Sequence, residues 1–64
     1  MSNLKVIRET KNLTQTKLAE MSGVNLAMIC KYEAGFKDIN KAQAKTLYLL
    51  SQVLGCTIED LIEK

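Results

Sequence analysis

Histidine is missing from this chain, and cysteine occurs only at Cys30 and Cys56, far apart in sequence. A zinc site needs clustered thiolates or imidazoles, and a thiol–disulfide motif needs two closely spaced cysteines; neither can be assembled here. Nor is there a glycine-rich phosphate loop, a nucleophile with an accompanying base, or a carboxylate pair set for acid–base work. Glu59 and Asp60 are neighbours, but the first turn of a helix favours acidic residues on electrostatic grounds alone. The expectation is a protein that is not an enzyme and takes no metal and no cofactor. The two cysteines read as buried or half-buried free thiols in a reducing compartment.

Also lacking are a charged-then-apolar leader and any apolar run approaching membrane-spanning length, so a soluble, cytoplasmic chain with no membrane partner is expected. No alternating run or Asn-Gly hairpin signals a strand. The 64 residues are expected to form one domain, residues 1–64. A chain this short buries only about 60% of its unfolded surface, so its core is marginal without a disulfide, a metal or a partner subunit. The net charge of +2 says little by itself, but its placement is uneven. Lys5, Arg8, Lys11 and Lys17 stand near the start against Glu9, whereas Glu59, Asp60 and Glu63 crowd the end against Lys64. Such polarity suits a domain with one face toward phosphates and the other away.

What is present is helical patterning, and it centres on Thr14 to Gly35. Thr14 caps one short helix, Leu18 and Ala19 begin its inward face, and Gly23 supplies a left-handed stop. Asn25 caps the next, with Val24 and Ile29 at the spacing of a hydrophobic staple. Two helices joined by so tight a turn cross steeply, and Ala19 falls where only a small side chain is tolerated. This is helix-turn-helix geometry, in which the second helix can enter a DNA major groove.

Around this unit, Leu4 and Ile7 give a first helix from about Asn3 to Lys11, stopped by Asn12. Leu13 drops toward the core before the Thr14 cap. After Gly35, Asn40 followed by Gln43 looks like a capping box opening a helix that runs to Leu54 and stops at Gly55. Leu47, Leu50 and Leu54 form its inward stripe with Ala44 and Ser51 beside them, while Leu49 and Val53 widen the apolar arc. Lys41, Lys45, Tyr48 and Gln52 are left for water. Thr57 and Asp60 repeat the capping signal for a short last helix whose inward face is Ile58, Leu61 and Ile62. The fold class is all-α, with five helices.

Taken together these stretches resemble the phage repressor and Cro-type helix-turn-helix domains common in bacterial regulators. The likeness runs through Ile7-Arg8-Glu9, Leu13-Thr14-Gln15, Leu18-Ala19-Glu20, Gly23-Val24, Ile29, Tyr32-Glu33-Ala34-Gly35 and Leu54-Gly55, on to Thr57-Ile58-Glu59-Asp60-Leu61. It implies a compact five-helix repressor-like domain, the second and third helices forming the DNA-binding motif. It also implies a structural ion pair between Arg8 and Glu33, and double-stranded DNA as the partner. Gln15, Thr16 and Lys17 are then expected to meet a phosphate at a helix start. Asn25, Leu26, Ala27, Cys30 and Lys31 are the expected groove contacts, and Lys37 and Asn40 would grip the backbone on the far side.

One departure stands out. Base readers in such domains are often polar, but the leading end here is Leu26-Ala27-Met28. Apolar side chains discriminate by packing, chiefly on thymine methyl groups, so a thymine-rich site or shape readout is expected if DNA is bound. One such domain makes few phosphate contacts, which favours a homodimer on two half-sites. Phe36, Ile39, Leu49 and Val53 are the candidate dimer surface. The competing reading is a protein-interaction module on the same fold, such as a toxin–antitoxin regulator or an adaptor, with a protein partner in place of DNA.

Overall fold

The computed structural model describes residues 2–63, and every regular element among them is helical. The order is α1 (Asn3–Thr10), α2 (Gln15–Ser22), α3 (Leu26–Ala34), a 3-10 turn (Ile39–Lys41), α4 (Ala44–Leu54) and α5 (Ile58–Leu61). None of these helices is long and apolar enough to cross a membrane.

The stops and starts follow local chemistry. Asn12 takes φ 58 and turns the chain out of α1, a conformation asparagine tolerates better than most residues with a side chain. Thr14 Oγ1 then accepts from the Lys17 N–H at 3.0 Å, opening α2. Gly23 closes α2 with φ 76. A Cβ added there would meet nothing within 4 Å, so glycine is required by the backbone torsion and not by crowding. Asn25 Oδ1 accepts from the Ala27 N–H at 2.8 Å to start α3, and the stapling residues Val24 and Ile29 are both buried.

Leu4, Leu18, Ile29, Leu50, Leu54 and Leu61 are wholly buried and draw on all five helices. Each side chain removed from water in this way contributes about 1.5–3 kcal/mol. α2 packs on α4 and α3, α5 closes against α4, and α1 lies across α3 and α5. The core therefore sits behind the α2–α3 corner, and holds that corner against the rest of the molecule.

The stretch after α3 departs from the sequence expectation. Asp38, not Asn40, captures the first free N–H: its Oδ1 accepts from Asn40 N–H at 2.9 Å. The result is the 3-10 turn, as an aspartate two residues ahead of a donor favours. α4 begins only at Ala44, behind a Gln43 whose side chain makes no capping bond. Ile39, expected at a dimer contact, is instead only 5% exposed and belongs to the core, because the turn aims it inward. Ala44, expected beside the inward stripe, is exposed. The rest of α4 follows expectation: Leu47, Leu50, Ser51 and Leu54 are buried, Leu49 and Val53 half-buried, and Lys45, Tyr48 and Gln52 exposed.

At the end of the chain, Thr57 and Asp60 form a reciprocal capping box. The Thr57 N–H donates to the Asp60 carboxylate at 3.0 Å and holds it below the usual carboxylate range. The last described residues fold back between the first helix and the 3-10 turn. Asn3 Nδ2 donates to the Ile62 carbonyl at 2.9 Å, and the Asn3 N–H donates to the Glu63 carboxylate at 2.9 Å. Opposite, the Glu63 N–H donates to Asn40 Oδ1 at 2.7 Å, while Asn40 Nδ2 donates to the Glu63 carbonyl. The last described residues thus lie against the first helix, and Lys11 and Asp60 line one groove there.

Candidate nucleic-acid interface

The turn through Gly23, Val24 and Asn25 presents α3 with one face to the core and one to solvent. Ile29 and Tyr32 point inward and are buried, as the sequence pattern requires. Leu26, Ala27, Lys31 and Ala34 are exposed, and Met28 and Cys30 are half-buried at the margins of that face. Every expected groove contact on α3 is therefore at or beside the outward surface. At its far end Gly35 takes φ 86, and the N–H groups of Phe36 and Lys37 fold back onto the Lys31 carbonyl. This turn throws Lys37 outward, where it is exposed.

Beneath the outward face lies a polar network that joins three elements. Arg8 from α1 grips Glu33 from α3 with two parallel bonds, Nε to Oε2 at 2.7 Å and Nη2 to Oε1 at 3.0 Å. Its Nη1 donates to the Leu13 carbonyl at 2.6 Å. The pair is nearly dry, with side chains 10% and 4% exposed. Such a fork matches a planar carboxylate, and the bond to Glu33 raises the Arg8 pKa further above its ordinary value. Among the described residues, no buried side-chain nitrogen or oxygen lacks a hydrogen-bond partner.

Gln15 joins this network, which corrects the expectation that its amide is held free for a phosphate. Its Nε2 donates to Glu33 Oε1 at 3.0 Å, and its Oε1 accepts from the Cys30 thiol at 3.2 Å. The second acceptor lone pair of a buried carboxylate attracts the nearest donor, and Gln15 at the start of α2 is that donor. Thr16 and Lys17, its neighbours, remain exposed. Lys17 lies 3.9 Å from Glu20, with both side chains largely in solvent. An exposed pair of this kind contributes little, so Lys17 is free to turn to a phosphate.

Asn40 is the other correction. Its amide faces the chain end, bonded at both atoms to Glu63, and is not turned outward to hold DNA. We expect Asn40→Ala to cost about 1–3 kcal/mol in urea denaturation, the worth of two hydrogen bonds. The salt dependence of DNA binding should stay as it was.

On this side the sequence offered Lys37 but missed Lys41. Lys37 and Lys41 line a cleft of about 410 Å³ together with Gln43, Thr46 and the edge of α3 at Met28 and Tyr32. The cleft opens at the start of α4, where Gln43 leaves the first N–H groups uncapped. Two cations and a bare helix start attract an anion. The missed signal was Asp38: once it is recognised as the cap, the helix start moves from Asn40 to Gln43 and Lys41 joins Lys37.

The second cysteine is remote from this surface. Cys56 lies in a groove with Lys11, Gly55 and Asp60. Burial pushes its thiol up, the Asp60 charge adds to this, and Lys11 opposes it. Both cysteines are free, as the spacing implied.

A family model described as helix-turn-helix matches residues 4–61, a span that runs from α1 through α5. No curated protein and no solved structure matches the chain.

Proposed function

Because the chain belongs to the helix-turn-helix family of DNA-binding transcription regulators, we propose that it binds double-stranded DNA sequence-specifically, as a small cytoplasmic regulator acting on an operator. The observation that carries this reading is the outward face of α3, which a fixed corner presents beside the cleft of Lys37 and Lys41. α3 lies in the major groove, led by Asn25, Leu26 and Ala27 and followed by Cys30 and Lys31. Thr16 and Lys17 at the start of α2 meet one phosphate strand. Lys37, Lys41 and the start of α4 meet the other. The 64 residues act as one domain, and its family is a regulatory one rather than an enzymatic one.

Selection of bound sequences from a random duplex pool, followed by salt titration of the winner, tests the proposal. The expected result is an enriched, two-fold symmetric site whose log affinity falls with log salt at about −0.9 per phosphate contact. Phe36 supports the symmetric arrangement. It is 84% exposed beside the α3 exit, an unusual position for a large aromatic unless something covers it. With the half-buried Leu49 and Val53 it forms the proposed contact between two copies. Phe36→Ser should weaken self-association at least tenfold in sedimentation equilibrium; an unchanged dimer, or a wild type that is monomeric with and without DNA, counts against this contact.

The same exposed Phe36 and Leu26 favour a second reading, in which this surface binds a protein. Salt separates the two, since an apolar interface hardly responds to it.

A further inference from the structure

Resting on the reading of α3 as the groove helix, we infer that the protein identifies its site by pyrimidine C5-methyl groups and accepts 5-methylcytosine where it accepts thymine. The two amides nearest the outward face are turned toward the protein. Gln15 is bonded at its nitrogen to Glu33 and at its oxygen to Cys30. The Cys30 thiol is held by that same bond. The Asn25 oxygen is fixed on the Ala27 N–H. Adenine is recognised by an amide that turns its oxygen and its nitrogen together onto the base, whereas the Gln15 amide is turned to Glu33 and Cys30 and the Asn25 oxygen to the helix start. Lys31 remains as the one cation on the outer face of α3, able to donate to guanine or to a phosphate but not to distinguish the other bases.

Leu26 and Ala27 are left at the leading end of α3, and both are exposed. Leu26 keeps 39% of its surface in solvent despite its size. In the major groove the thymine methyl is the one apolar feature that such side chains can cover. The cationic cleft of Lys37 and Lys41 beside this face makes a duplex the occupant that matches both its charge and its apolar tip. A methyl at C5 projects identically from thymine and from 5-methylcytosine, and it is absent from uracil and from cytosine. Covering one methyl corresponds to about a fourfold change in affinity.

The test uses the duplex selected from the random pool. Deoxyuridine replaces each thymine in turn, and cytosine or 5-methylcytosine, paired with guanine, replaces the sensitive ones. Uracil should weaken binding about fourfold per contacted methyl, cytosine should weaken it at least as much, and 5-methylcytosine should recover most of the loss. Leu26→Ala, a change at an exposed site, should erase the thymine–uracil difference at one position and leave the salt slope unaltered. Tight, salt-dependent binding indifferent to uracil throughout overturns this inference alone. Absence of salt-dependent binding to any duplex overturns the DNA reading and this inference together, whether or not a protein or a second copy is found on the face.

Discussion

Glu33→Ala is expected to lower the melting temperature by more than about 10 °C. The Glu33 side chain is only 4% exposed and receives both the Arg8 fork and the Gln15 amide. Its removal strands a guanidinium that is itself 10% exposed. Breaking one partner of such a pair costs about 3–5 kcal/mol, because the remaining charge stays buried without compensation. A domain of this size holds roughly 3–10 kcal/mol in total, at about 0.05–0.15 per residue. Thermal and urea unfolding followed by circular dichroism decide the matter, and a melting temperature within a few degrees of the wild type would refute it. A double change, Arg8→Met with Glu33→Leu, should recover much of the loss, because an apolar pair leaves no orphaned charge. If the double variant is as unstable as the single one, the cost lies in packing and not in the stranded charge.

The second large effect concerns binding and not folding. Lys37→Ala with Lys41→Ala should lower DNA affinity roughly 10³-fold at 0.1 M salt, if each lysine in a two-fold dimer releases one counterion. Both residues are exposed, so the fold should be unaffected. The salt slope should flatten by about 3.6, four contacts at 0.9 each. Reduced affinity with an unchanged slope would mean that the two lysines touch bases or shape the loop, and do not meet phosphates. No change in either would remove the cleft from the interface.

The positions legible in the sequence were those where a single residue decides a local outcome. Asn12, Gly23 and Gly55 mark left-handed stops because few other residues adopt that torsion, and all three do so. Thr14, Asn25 and Thr57 cap as expected, since a short polar side chain before an apolar repeat has one favourable use. The inward stripe of α4 and the pairing of Arg8 with Glu33 were equally plain, the latter through family likeness. What failed were choices between near neighbours. Asp38 and Asn40 both offer a cap two residues apart, and the earlier acceptor prevailed. That choice turned Ile39 from surface to core and freed Asn40 for the chain end. Gln15 failed for another reason: its partners, Glu33 and Cys30, are distant in sequence. No local pattern reveals that a carboxylate committed to Arg8 still draws a second donor.

The clasp made by Asn3, Asn40 and Glu63 has a bearing on unfolding. Asn3 and Glu63, separated by 60 positions in sequence, lie within one hydrogen bond of each other. A label or crosslinker placed on both would therefore report whether α1 and α5 part company before the rest of the helices melt.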